Sequence, residues 1–77
     1  MNNIECLGRI IDKLFYFEII EGYSQGTQTN LKVSYKGERF WLRDVKTREG
    51  VLYGIIESYL DKQSIFKYGD LVKFKEI

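Results

Sequence analysis

The run LKVSYKGERFWLRDV, residues 31–45, carries the clearest structural signal in the chain. Apolar and polar side chains alternate on both sides of Lys36-Gly37, a pattern typical of β-strands with one buried face. A Lys-Gly pair suits the centre of a two-residue turn because glycine readily takes a positive φ. The run therefore predicts a β-hairpin with strands at 31–35 and 38–45.

Outward from this hairpin, short apolar runs separated by turn signals are typical of a small barrel or sandwich. The segments 51–57 and 71–77 predict further strands, and 46–50 predicts a loop. Residues 59–66 predict a short helical turn. Two glycines and several uncharged polar side chains indicate an exposed, mobile loop at 21–30.

The N-terminal region has two interpretations. The favoured one is a second hairpin, with strands at 4–11 and 14–20 joined by a tight turn at Asp12-Lys13. The alternative is a helix, because several apolar residues share one face at helical spacing: Ile4, Leu7, Ile11, Leu14 and Phe15.

Together these elements predict a single all-β domain spanning residues 1–77. Its expected architecture is a small, strongly bent five- or six-stranded antiparallel sheet or SH3-like barrel with one short helical turn. The alternative is an α+β fold in which an N-terminal helix packs on the sheet.

Composition excludes several kinds of chemistry. The chain has no histidine, so it holds no Ser-His-Asp triad and no imidazole metal ligand. Its single cysteine, Cys6, lies in an apolar run and is expected to be a small core residue rather than a nucleophile. The carboxylates are scattered singly along the sequence. We therefore expect a non-enzymatic protein with no catalytic residues, no metal site and no cofactor.

Charge and hydropathy indicate the compartment. The chain carries 12 Lys+Arg against 11 Asp+Glu, so its net charge of +1 exerts little long-range attraction on polyanions. No apolar run approaches the roughly 18 residues of a membrane helix, and the N-terminus lacks a signal-peptide pattern. We expect a cytoplasmic protein with no membrane partner. Its codon-biased composition suggests a bacterial or phage source.

Strand alternation also sorts side chains between the two faces of the sheet. With Lys36-Gly37 as the turn and 46–50 as a loop, Leu42 is expected opposite Gly54 and Phe40 opposite Ile56. The predicted core face carries Leu31, Val33, Phe40, Leu42, Leu52 and Ile56. The predicted outer face carries Lys32, Ser34, Arg39, Trp41, Arg43, Tyr53, Ile55 and Glu57.

This outer face is the candidate functional surface. Aromatic residues and arginines dominate binding hot spots, so we expect a protein-binding site with the loop at 21–30 as a secondary contact. Its predicted residues are Trp41, Arg39, Arg43, Tyr53, Lys32 and Ile55. A small phage or mobile-element inhibitor of a host protein is one form of this function. The competing function is single-stranded nucleic-acid binding through the same face. The competing structural interpretation is that Trp41 only covers the sheet, beneath the N-terminal segment or at an open barrel end.

The second half of the chain also resembles a known group. Phe40-Trp41-Leu42, Gly54-Ile55-Ile56, the run 68–74 (YGDLVKF) and Ile77 resemble the hydrophobic and turn pattern of the YegJ-like group of small bacterial proteins. The resemblance covers residues 37–77. It implies a small β-rich, non-enzymatic module and assigns no activity.

Overall fold

Five β-strands form a closed barrel in the computed structural model, which describes residues 8–62 and 65–77. The strands are β1 (Ile10–Gln25), β2 (Gln28–Tyr35), β3 (Glu38–Arg48), β4 (Val51–Ile56) and β5 (Leu71–Glu76). Within the described ranges there is no helix, which confirms the predicted all-β class. The helical turn predicted at 59–66 is wrong for the residues described there, none of which is helical.

Strand direction follows from the order of the strands around the barrel. Each consecutive pair from β1 to β5 is antiparallel, whereas β1 and β5 are parallel. Strands that alternate in direction around a closed ring can all be antiparallel only if their number is even. With five strands, one neighbouring pair must be parallel. The prediction of an antiparallel sheet is therefore correct for four of the five strand contacts.

The first strand closes the barrel by changing partners along its length. Residues 10–17 pair with β5 and residues 18–25 pair with β2. The turn predicted at Asp12-Lys13 is wrong, since both residues lie inside β1. The loop predicted at 21–30 is also wrong, because β1 and β2 form a hairpin that turns at Gly26-Thr27. Residues 1–7, with Cys6 and the first residues of the alternative helix, lie outside the described residues. Ile11, Leu14 and Phe15 of that helix lie in β1, so the helix is wrong for them.

The central hairpin has the predicted register. Tyr35 pairs with Glu38, Val33 with Phe40 and Leu31 with Leu42. Lys36 and Gly37 both have positive φ, at 51° and 83°, as a two-residue type I′ turn requires. The prediction for this hairpin is confirmed.

The next hairpin differs from its prediction because β3 contains a bulge. Asp44, at φ 54°, and Val45 together lie opposite the single residue Gly54. The connection is a tight Glu49-Gly50 turn instead of a five-residue loop. Leu42 consequently pairs with Ile56, and the predicted Leu42–Gly54 and Phe40–Ile56 pairs are wrong. The error is two residues, so each side chain of β4 stays on its predicted face.

The barrel interior is dominated by phenylalanine. The chain has five phenylalanines, and all five are at most 2% exposed: Phe15, Phe17, Phe40, Phe66 and Phe74. Phe66 comes from the connection between β4 and β5, and its ring lies 5.0 Å from that of Phe15 and 5.5 Å from that of Phe40. The contact with Phe15 is edge-to-face, and such ring pairs stabilise the fold beyond the burial of their area. The connection thus supplies a core residue that strand alternation does not predict.

A buried carboxylate fixes the start of β1 to the end of this connection. Asp70 accepts hydrogen bonds from the Arg9 backbone N–H (2.8 Å), from Arg9 Nη2 (3.0 Å) and from the Lys67 N–H (2.9 Å). Burial raises the pKa of Asp70, but these hydrogen bonds and the Arg9 charge outweigh burial and hold it below its ordinary value. The two chain segments are therefore joined through an ionised side chain.

Candidate functional site

Trp41 lies on the outer face of β3 and is half-buried. Its backbone is held from the side of β4, because its N–H donates to Ser58 Oγ (3.0 Å) and its carbonyl accepts from the Glu57 N–H (2.8 Å). The indole packs edge-to-face on Tyr23, with ring centroids 5.6 Å apart and an interplanar angle of 66°. Trp41 is thus a positioned surface ring and not a member of the barrel core.

A hollow of about 330 Å³ opens beside this ring pair, lined by Tyr23, Trp41 and Glu57. Tyr23 reaches it from the β1–β2 hairpin, and Glu57 follows the last residue of β4. In the part of the chain that the structure describes, the Glu57 carboxylate forms no ion pair or hydrogen bond. The hollow therefore combines two aromatic rings with one carboxylate that no described residue pairs.

Two arginines flank Trp41 on the same face of β3. Arg39 and Arg43 are each two residues away, about 6.7 Å along an extended strand. Arg39 is exposed and Arg43 half-buried. Within residues 8–62 and 65–77, neither guanidinium group forms an ion pair or hydrogen bond. Both are therefore available to an external acceptor.

Lys32 lies opposite Trp41 on β2. Its Nζ is 4.0 Å from Glu21 Oε2, across the pairing of β1 with β2. The lysine is half-buried and the glutamate exposed. The cation therefore lies beside an acidic neighbour on β1.

Tyr53 and Ile55 belong to a second, larger hollow. Together with Leu71 they form the apolar floor of a cavity of about 630 Å³, which polar residues of the β3–β4 hairpin surround. The predicted register also implies Tyr53 opposite Arg43. This pair is wrong, because the tight Glu49-Gly50 turn and the bulge at Asp44 together shift the register by two residues and put Ile55 in that position. The predicted site residues thus share one face, but Trp41 lines one hollow and Tyr53 and Ile55 line the other.

The cations beside Tyr53 differ from those beside Trp41. Tyr53 lies between Lys46 on β3 and Lys73 on β5. Lys46 Nζ is 3.0 Å from Asp44 Oδ1, and Lys73 Nζ is 3.1 Å from Asp12 Oδ1. Their charges are compensated locally, which distinguishes this hollow from the surface around Trp41.

No protein-family model, curated protein or solved structure matches this chain. The resemblance to the YegJ-like group stays a prediction. Within the described ranges, no helix is long and apolar enough to cross a membrane, and no group of three or more carboxylate or thiol side chains could hold a metal ion. Function is therefore inferred from the surface of the barrel itself.

Sequence reasoning missed two aromatic contacts. Tyr23 contacts Trp41 because 21–25 continues β1, and since these residues are all exposed, no apolar alternation signals this strand in the sequence. Tyr59 and Tyr68, on the β4–β5 connection, stack with ring centroids 4.6 Å apart and an interplanar angle of 9°. They do so although the two residues are 84% and 46% exposed. Contacts between residues so distant in sequence leave no periodic pattern.

Proposed function

We propose that this protein is a non-enzymatic protein-interaction module that binds its partner through the surface around Trp41. The observation that carries the proposal is a half-buried tryptophan, with its indole packed on Tyr23 and its backbone N–H bound to Ser58, between two arginines without an intramolecular partner in the described chain. We call Tyr23, Arg39, Trp41, Arg43 and Glu57 the Trp41 surface.

The chemistry of these groups suits recognition of protein. A tryptophan already held in one orientation loses little conformational freedom on binding, which is one reason that Trp and Arg recur in hot spots. Each guanidinium group can form two parallel hydrogen bonds to a carboxylate. The expected partner surface therefore offers an apolar group for the indole and carboxylates for Arg39 and Arg43.

Single-stranded nucleic acid is the competing ligand for the same surface, because bases stack on aromatic rings and arginines bind phosphates. The acidic residues argue against it. Glu57 lines the Trp41 hollow and Glu21 lies beside Lys32. A phosphate backbone crossing this surface would meet both negative charges, whereas a protein surface of mixed charge can match them.

The protein would then be an SH3-like interaction barrel that acts in the bacterial cytoplasm and is encoded by the bacterium or by its phage. A small barrel whose described surface exposes binding groups would suit an inhibitor of a host protein. Such an inhibitor would be encoded by a phage or mobile element. This setting supports the choice of a host lysate as the source of the partner.

Partner capture with matched variants tests the proposal. The immobilised protein is exposed to lysate of its host, and bound proteins are identified and quantified against the Trp41→Ala and Arg39→Glu/Arg43→Glu variants. Tyr16→Ala is the control, because Tyr16 is 55% exposed on the part of β1 that pairs with β5. Far-UV circular dichroism establishes that each variant is folded.

We expect a protein retained by wild type and by Tyr16→Ala but lost with both Trp41-surface variants. Equal retention by all four proteins would refute the proposed surface. Binding to oligonucleotides that weakens steeply with salt, by about 0.7 log unit per neutralised phosphate per log unit of salt, would replace it with the nucleic-acid function.

A further inference from the structure

We propose that the hollow of the Trp41 surface is a cation-binding site that accepts the ammonium group of a partner's lysine, bare or N-methylated. The inference rests on the proposed function, because it names the group that the Trp41 surface recognises. It follows from the rings and the carboxylate that line the hollow: Tyr23, Trp41 and Glu57.

The two rings have the arrangement that a cation requires. Their planes meet at 66° with centroids 5.6 Å apart, so they form two walls of a corner. A cation within about 6 Å of an aromatic face is attracted by the ring quadrupole, and aromatic cages bind alkylammonium groups in this way. A compact, nearly spherical ammonium group can contact two inclined walls, whereas a flat guanidinium group stacks best on one ring.

Charge complementarity selects a positive ligand. The Glu57 carboxylate has no ion pair within the described residues, although it borders the apolar walls. None of the protein's own described cations lies over the Tyr23 or Trp41 ring; the two cation–π contacts in the described chain involve Phe15 and Tyr35 instead. The corner therefore offers two ring faces and a carboxylate to a cation, and no described cation of the protein lies over either ring.

The flanking arginines restrict the sequence that could present the lysine. Arg39 and Arg43 lie along β3 on either side of Trp41 and would repel an extended basic segment. They would attract carboxylates on either side of a single lysine. The expected epitope is thus one lysine between acidic residues, which separates this site from a surface for polybasic peptides.

Fluorescence titration tests the site directly, because Trp41 is the chain's only tryptophan. The probe is Nα-acetyl-lysine methylamide, and its neutral control is Nα-acetyl-norleucine methylamide, which has the same aliphatic chain without the amine. The N-trimethyl form of the lysine probe is titrated in parallel. Sodium chloride is adjusted so that ionic strength stays constant throughout.

We expect saturable changes in Trp41 emission for both charged probes, with affinities on the order of millimolar for ligands this small. The norleucine compound should bind at least about tenfold more weakly, and the trimethyl probe more tightly than the bare amine, because it is less strongly hydrated. Glu57→Gln should weaken binding of the charged probes about three- to fivefold, the effect of one charge at 4–5 Å in water.

Two further variants test whether positive charge near the hollow weakens binding of the charged probes. Lys32→Gln removes a like charge near the hollow and should strengthen binding of the charged probes. Glu76→Gln removes an exposed carboxylate from the last residue of β5 and should leave binding unchanged. Equal binding of the lysine and norleucine probes, or unchanged binding in Glu57→Gln, would overturn the proposal.

These experiments distinguish a failure of the cation site from a failure of the proposed protein interface. If Trp41→Ala abolishes partner capture but the lysine probes do not bind, the Trp41 surface binds a partner and the cation site is wrong. If the probes bind with the expected dependence on Glu57 but partner capture survives Trp41→Ala, the cation site stands and the proposed protein interface is wrong.

Discussion

Replacing Asp70 by asparagine should strongly destabilise the barrel. The Asp70 side chain is 0% exposed, and its two oxygens accept three hydrogen bonds from Arg9 and Lys67. Asparagine offers one carbonyl oxygen and an NH₂ group in the same space. In either orientation the NH₂ group therefore faces N–H donors, and at least one buried donor loses its acceptor.

The magnitude follows from the burial of the pair. Breaking a buried ion pair costs about 3–5 kcal/mol, but the Arg9 side chain is 55% exposed and water can solvate it once it is released. We therefore expect a loss of about 2–4 kcal/mol. A domain of this length has a free energy of unfolding of about 4–12 kcal/mol. The midpoint of thermal unfolding should fall by about 8–30 °C.

Urea unfolding, followed by far-UV circular dichroism between pH 7 and pH 2.5, measures this effect. The pKa of Asp70 is lower in the folded than in the unfolded chain, where it is about 3.9. Its charge therefore stabilises the fold fully above the unfolded pKa, and this stabilisation is lost as pH falls through the folded pKa. The stability gap between wild type and Asp70→Asn should be constant near neutrality and narrow below about pH 4.

Asp12→Asn is the matched control, because the Asp12 carboxylate is 92% exposed and pairs with Lys73 at the surface. It should change stability by less than about 1 kcal/mol. If Asp70→Asn were as stable as Asp12→Asn, or if its deficit persisted unchanged at pH 2.5, the structural role assigned to the Asp70 carboxylate would be wrong.

Three further substitutions test the packing of the barrel. Gly54→Ala should cost about 1–3 kcal/mol, since the added Cβ would lie 3.0 Å from Val45 Cγ2; wild-type stability in urea would contradict this. Asn30→Ala should cost about 1–3 kcal/mol, because Asn30 Oδ1 accepts the Asp44 N–H of the bulge (3.2 Å); unchanged stability would argue against that hydrogen bond. Phe17→Ala should cost about 3–5 kcal/mol, because Phe17 is fully buried; a smaller loss in chemical unfolding would show a loosely packed barrel.

The central hairpin was predictable because local and tertiary preferences coincide there. Lys36-Gly37 takes the backbone conformation of its turn, and residues 31–35 alternate between a core and an outer face. The register of β3 with β4 was not predictable, since it is set by the tight Glu49-Gly50 turn together with a bulge at Asp44, whose N–H donates to the Asn30 side chain on another strand. Such a partner leaves no mark in the local pattern.

The first strand failed as a prediction for a different reason. Residues 21–25 are exposed, so no buried face imposes an apolar alternation on them. They resemble a loop in composition although they pair with β2. At Asp12-Lys13 the polar pair suggested a turn, but pairing with β5 keeps the backbone extended across both residues.

The candidate site was predictable as a face but not as a cavity. Alternation alone places Arg39, Trp41 and Arg43 together on β3. The contact of Tyr23 with Trp41 requires the β1–β2 hairpin, whose strands the sequence did not reveal. The separation of Tyr53 from Trp41 requires the bulge. A register error of two residues leaves each side chain on its predicted face but changes the residue that lies opposite it on the next strand.

The most direct test of the Trp41 surface uses the single indole N–H resonance of the chain in a ¹⁵N–¹H correlation spectrum. On titration with the captured partner, we expect the largest shifts at the Trp41 indole and at the backbone amides of Tyr23, Arg39 and Arg43. The stacked Tyr59–Tyr68 pair, also exposed, should be little affected. An unmoved indole resonance, with shifts centred on Tyr59 and Tyr68, would contradict the account.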